Sequence, residues 1–144
     1  MRGAERYYAG FAVTGQQTAD YRQQTMRDYK KIKAWQLSSD LAVKIYEITK
    51  LYPKDELYGL TSQMRRAAAS ISANIAEGSA RASKKEYLQF LYVAKGSARE
   101  LESFIILSGR IGLLSDSDLE SSSKLCTECI HTLFGLIQAV SSEV

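Results

Sequence analysis

Between Arg66 and Arg81 the chain is built almost entirely from alanine, serine and glycine, interrupted only by Ile71, Asn74, Ile75 and Glu77. Met64, Ile71 and Ile75 recur there at helical spacing, so the run reads as a helix whose side chains are mostly too small to hold a neighbour away. A second helix backbone is expected to lie close against it. Asn74, a polar residue on the same seam, is expected to set the register of that packing.

A chain of 144 residues is long enough for one domain with its own core and needs no disulfide staples. One proline and an abundance of good helix formers argue for helices rather than strands. No stretch approaches the roughly 18 continuous apolar residues of a membrane span, and no secretory signal is visible, so a cytoplasmic protein is expected. Residues 1–27 carry scattered glycines, tyrosines and glutamines with no apolar period. They read as a flexible tail before a domain over 28–144, with Met26 an alternative start and the tyrosines and arginines a conceivable stacking arm for nucleic acid.

Four apolar stripes organise the rest. Ile32, Trp35, Leu41, Ala42, Ile45, Ile48 and Tyr52 predict a first helix over 29–51, closed by Tyr52-Pro53. Leu57, Leu60, Met64, Ala67, Ile71, Asn74 and Gly78 repeat at about 3.5 residues and predict a second, with Asp55 and Glu56 in its first turn. Ser83 and Glu86 form a capping box opening a third helix, whose stripe is Tyr87, Leu91, Ala94, Ala98, Leu101, Ile105 and Ser108. Phe90, Tyr92, Phe104 and Ile106 fall off that stripe and are assigned to a subunit contact. Gly96, costly inside a helix, is expected to permit close approach to the second helix. Gly109 and Gly112 mark the end. Ser115 and Asp118 suggest another capping box, and Leu119, Ser122, Cys126, Cys129, Leu133, Leu136 and Val140 form the fourth stripe. Short connections favour antiparallel neighbours, hence an all-α, up-down-up-down four-helix bundle.

The inventory for catalysis is thin. Cys126 and Cys129 share a helix face and read as small core residues; His131, the single histidine, points elsewhere and reads as a solvent or interface residue. No glycine-rich phosphate loop and no repeated Glu-x-x-His pair is present, so no catalytic residue, metal or cofactor is assigned. Charge is more informative. Residues 1–114 hold 18 Lys/Arg against 11 Asp/Glu, while 115–144 hold one lysine against five acids. A basic body with an acidic last helix suits either a polyanion or complementary packing between helices or subunits. Arg65, Arg66, Arg81, Lys84, Lys85, Lys95 and Arg99 are the candidate nucleic-acid-binding residues, Arg81, Lys84 and Lys85 clustering at one turn. Around a closed oligomer that corner would become a basic ring.

Three segments carry a family resemblance: Asp28-Tyr29-Lys30-Lys31-Ile32-Lys33-Ala34-Trp35, Tyr58-Gly59-Leu60-Thr61-Ser62-Gln63-Met64-Arg65-Arg66-Ala67-Ala68 and Ser72-Ala73-Asn74-Ile75-Ala76-Glu77-Gly78. With Arg81, Ser83, Glu86, Tyr87 and Gly96-Ser97 they resemble a bacterial four-helix-bundle family. That family includes proteins encoded in intervening sequences of 23S ribosomal RNA genes and the accessory variability proteins of diversity-generating retroelements. The resemblance implies a left-handed bundle that closes into a ring, a homopentamer in known members, and no enzymatic activity. Retroelement members associate with a reverse transcriptase and, through basic surfaces, with nucleic acid. The family's polar motif maps here to Arg65, Arg66, Asn74, Glu77, Arg81 and Glu86, with a structural role implied for Asn74, Glu77 and Glu86. The expected function is a non-enzymatic homo-oligomeric scaffold that binds RNA or DNA weakly. The alternative is a protein-interaction module that recruits a partner such as a reverse transcriptase.

Overall fold

The computed structural model describes residues 28–144; the expected tail and its stacking arm, 1–27, lie outside the described residues. Those residues form four α-helices and no strand: α1 (Lys33–Thr49), α2 (Ser62–Ser79), α3 (Lys84–Arg110) and α4 (Asp116–Ser141). Each helix buries one stripe, and the stripes meet in a single core centred on Leu41, Ile45, Met64, Ile71, Ile75, Leu91, Leu101, Ile105 and Leu133. The main packing pairs are α2 with α3, α3 with α4, α1 with α2 and α1 with α4. Contacts run in opposite senses along α2 and α3: Ser108 Oγ meets Met64 Sδ at 3.4 Å, and Ser97 Oγ meets Ser70 Oγ at 2.8 Å. The same holds for α3 and α4, where Lys84 pairs with Glu143 and Cys126 Sγ faces the Ala98 carbonyl.

The chain enters α1 through a 3-10 turn, Tyr29–Lys31, rather than through one continuous helix. The Asp28 carboxylate accepts from Lys30 N at 3.1 Å and closes that turn, and Ile32 is extended before α1 begins. Leu41, Ile45, Ile48 and Tyr52 are buried as predicted, whereas Trp35 and Ala42 are only partly covered. Ala34 and Ser38 take the inner positions instead. Ser38 is tolerated there because its hydroxyl donates to the Trp35 carbonyl at 2.9 Å.

The second helix departs most from its prediction. A 3-10 turn, Lys54–Glu56, and a wide π-type turn, Leu57–Thr61, precede α2, with Gly59 at φ −105°, ψ −119°. The Glu56 carboxylate accepts from Leu60 N at 3.1 Å, so it caps the new start rather than lying inside one long helix. Leu57 is consequently exposed and Leu60 only half-buried, which removes both from the inner seam. Asn74 is also off that seam. Ile75 and Ala68 fill the inner positions, and Asn74 is half-buried beside α3.

The seven predicted positions of α3 are all buried, and the Ser83–Glu86 capping box is present in both directions. At its other end Gly112 has φ 80°, Leu113 N donates to Ser108 O at 2.9 Å and Gly112 N to Gly109 O at 3.3 Å. This is a Schellman ending, which needs the left-handed residue that glycine adopts without penalty. At the start of α4 only half of the second expected box forms. Ser115 Oγ accepts from Asp118 N at 3.1 Å, but the Asp118 carboxylate turns away to Lys44 of α1, 3.4 Å distant.

The close approach between α2 and α3 occurs at a different glycine from the one predicted. A Cβ on Gly96 would meet nothing within 4 Å, and Gly96 is exposed. A Cβ on Gly78 would fall 2.6 Å from Phe90 Cβ and 3.0 Å from Tyr87 Cδ2. The contact therefore lies at the α2–α3 turn, where the two helices converge.

Candidate nucleic-acid interface

The seven cations expected to form one basic surface fall into three places. Arg65 lies on the α1 side of α2: its Nε donates to Thr49 Oγ1 at 2.9 Å and its guanidinium carbon sits 4.7 Å from the centre of the Tyr46 ring. Arg66, on an exposed position, donates to Gln63 Oε1 at 3.0 Å. Lys95 and Arg99 lie towards α4; Lys95 Nζ is 5.5 Å from the centre of the Phe134 ring, and Arg99 pairs with Glu102 at 3.0 Å.

Arg81, Lys84 and Lys85 do come together at the α2–α3 turn. Glu77 holds Arg81 at 2.9 Å, and the Arg81 guanidinium lies 4.5 Å from the centre of the Phe90 ring. Lys84 pairs with Glu143 at 2.7 Å, which ties the beginning of α3 to the end of α4. Lys85 is exposed and has no ion pair among the described residues. Glu86 is occupied by the cap, its Oε2 accepting from Ser83 N at 3.3 Å and from Ser83 Oγ at 3.1 Å. Exposed ion pairs of this kind contribute only about 0–1 kcal/mol each, so a phosphate can displace the carboxylates at little cost.

Sequence reading missed the lysines beside the first turn. Tyr29–Lys31 lies against α2, and Lys30, Lys31 and Lys33 are exposed. Lys30 Nζ is 5.9 Å from the centre of the Tyr29 ring. The runs of lysine were visible in the sequence; their proximity to α2 was not, because it depends on where α1 lies.

The polar motif on α2 is structural in its contacts. Asn74 Nδ2 donates to the Ser70 carbonyl at 2.8 Å and to Ser70 Oγ at 3.0 Å, and Ser70 Oγ lies 2.8 Å from Ser97 Oγ. A short polar chain thus crosses from α2 to α3 on the rim of the core. The four residues assigned to a subunit contact divide between two flanks of α3. Phe90 packs at Gly78 and Phe104 against the core, whereas Ile106 lines the α3–α4 groove and Tyr92 is exposed.

Chemistry elsewhere is limited by burial. Cys126 and Cys129 are free and fully buried. Burial pushes the Cys126 thiol up to about 12, with the neighbouring Cys129 adding to the rise, and pushes Cys129 up to about 11. Thiols held protonated in this way are poor nucleophiles. Among the described residues no group of three or more His, Cys, Asp or Glu side chains could hold a metal ion, and His131 is exposed. No helix among them is long and apolar enough to cross a membrane.

Four long helices around one core, with cations on their ends and flanks, define a small all-helical protein. A family model described as 23S rRNA-intervening sequence protein matches residues 30–135, and the chain belongs to that family. A crystal structure of a protein of unknown function from the S23 ribosomal protein family of Bacteroides thetaiotaomicron is similar, with 25% sequence identity and a TM-score of 0.65. That likeness covers 72% of this chain and 97% of the other. No curated protein matches.

Proposed function

We propose that this protein is a non-enzymatic, cytoplasmic homo-oligomeric scaffold that binds RNA or DNA weakly through its basic surface. Its four helices form a left-handed up-down-up-down antiparallel bundle, and copies of that bundle close into a ring, a pentamer by resemblance to known members. The observation that carries the reading is the basic end of the molecule. Arg65 at the start of α2 meets Thr49 at the end of α1, so the head of α1 lies towards the far end of α2. There Arg81, Lys84 and Lys85 cluster, and the Tyr29–Lys31 turn with its two lysines lies against α2. Repetition around a ring would add these weak contacts into useful affinity. The ring itself is supported by apolar groups left on α3: Tyr92, Val93, Ile106, Leu107 and Ile111 are all exposed. Surplus apolar surface of that kind marks an interface with another chain.

A salt titration of nucleic-acid binding tests the reading. Affinity should fall as salt rises, and joint replacement of Arg81, Lys84 and Lys85 by glutamine should flatten the slope. Absence of binding at low salt overturns it. The exposed face of α3 also fits a module that recruits a protein such as a reverse transcriptase. Capture of that partner without any salt-dependent nucleic-acid binding would favour this second form.

A further inference from the structure

At the other end of α2, the connection from α1 borders an open pocket of about 180 Å³. Its lining includes Lys50, Lys54, Thr61 and Arg65, with Thr49 and Tyr52 in the wall, and no carboxylate. This volume is several times the roughly 30 Å³ that one water occupies in the liquid, so a small polyatomic anion has room. Three cations line this opening, and none of them has an ion pair among the described residues. Of the two acids next along the chain, Asp55 is exposed and Glu56 is turned to Leu60 N at 3.1 Å.

Arg65 is also preset. Its Nε is bonded to Thr49 Oγ1 at 2.9 Å, and Thr49 Oγ1 is itself fixed by donating to the Ile45 carbonyl at 2.6 Å. The Tyr46 ring supports the guanidinium on one side. Its two terminal nitrogens have no partner among the described residues, and a planar fork held in place suits two oxygens of one tetrahedral anion. Tyr52 forms part of the wall, and its hydroxyl is turned to Ser108 of α3.

We infer that the pocket between α1 and α2 is a site for a phosphoryl anion, with Arg65 as the oriented fork and Lys50 and Lys54 as flexible counter-charges. A phosphoryl group fits better than a carboxylate because it carries more charge and presents more oxygens to three cations. The site does not depend on the basic end at Arg81, Lys84 and Lys85.

The test is titration of the full chain with inorganic phosphate, followed by NMR at the backbone amides and the Arg65 Nε–H, beside a sodium chloride titration of matched ionic strength. Saturable shifts at Thr49, Lys54 and Arg65 are expected, with a dissociation constant on the order of 1 mM for a few exposed charge-assisted contacts. Lys50→Gln with Lys54→Gln, both exposed and so compatible with folding, should weaken binding about tenfold or more. Identical shifts with chloride, or phosphate binding unchanged in that double variant, overturn the inference. Replacing Arg81, Lys84 and Lys85 should leave phosphate binding here intact, which separates this site from the nucleic-acid reading. A short oligonucleotide without terminal phosphates identifies the source. Displacement of phosphate from the same residues assigns a phosphodiester, and failure to displace it assigns a free phosphate or phosphomonoester.

Discussion

Two glycine-to-alanine substitutions, made separately, weigh the packing of α2 against α3. Either change relieves the conformational cost of a glycine in a helix, a gain of about 1 kcal/mol where nothing opposes it. At Gly96 nothing does, since a Cβ there has no neighbour within 4 Å. Gly96→Ala should therefore be more stable than the parent by about 1 kcal/mol. At Gly78 the new methyl would lie 2.6 Å from Phe90 Cβ. That atom is fixed to the α3 backbone and cannot rotate away, so the helices must part. Overpacking of this kind costs about 1–3 kcal/mol, which cancels the helical gain or exceeds it by up to about 2 kcal/mol. The two variants should then differ by about 1–3 kcal/mol, or roughly 4 °C or more in Tm for a domain near this size. Thermal and urea unfolding followed by far-UV circular dichroism measure this, at one protein concentration because assembly would shift Tm. If Gly78→Ala gains as much stability as Gly96→Ala, the close contact described at the turn is wrong. Loss of stability in Gly96→Ala would instead refute the open space assigned to that face, and place another chain against it.

The buried thiols make stability depend on alkaline pH. Both folded pKa values lie above the ordinary thiol value of 9.0, so the contribution is complete below about pH 9 and is lost as pH rises towards 11–12. The unfolding free energy should fall by up to about 1.4 kcal/mol per pH unit for each thiol, and Cys126→Ala with Cys129→Ala should flatten that decline. Burial likewise raises the pKa of Tyr52, tempered by the Ser108 hydroxyl, and steepens the same loss. A thiol reagent at neutral pH should label neither cysteine until the protein unfolds; rapid labelling of the native chain would contradict their burial. Ser83→Ala removes one arm of the α3 cap and should cost about 1 kcal/mol in urea unfolding. Asn74→Leu should preserve helicity, yet broaden the assembly seen by light scattering if the polar chain to Ser70 and Ser97 sets the register; a single sharp species would deny it that role.

Sequence periodicity alone determined the number of helices, the complete inner face of α3, and both serine caps. Those features follow from bonds and burial within a helical turn or two, so local pattern suffices. It could not decide which small residue would be the point of closest approach, because that depends on where two helix axes converge: at Gly78 rather than Gly96. It placed Leu57 on the inner seam because it assumed one unbroken helix, and Asn74 there because it stepped three residues on from Ile71 where the buried stripe steps four, to Ile75. The backbone instead breaks at Leu57–Thr61, where Gly59 is non-helical and the Glu56 carboxylate caps Leu60 N. The basic residues were legible as a list, but their grouping was not. Only tertiary packing set Arg65 over Tyr46 and Thr49, turned Lys95 and Arg99 towards α4, and left Arg81, Lys84 and Lys85 together at one end. The small-residue run on α2 allowed close packing; the geometry of the neighbouring helices determined where along it that packing occurs.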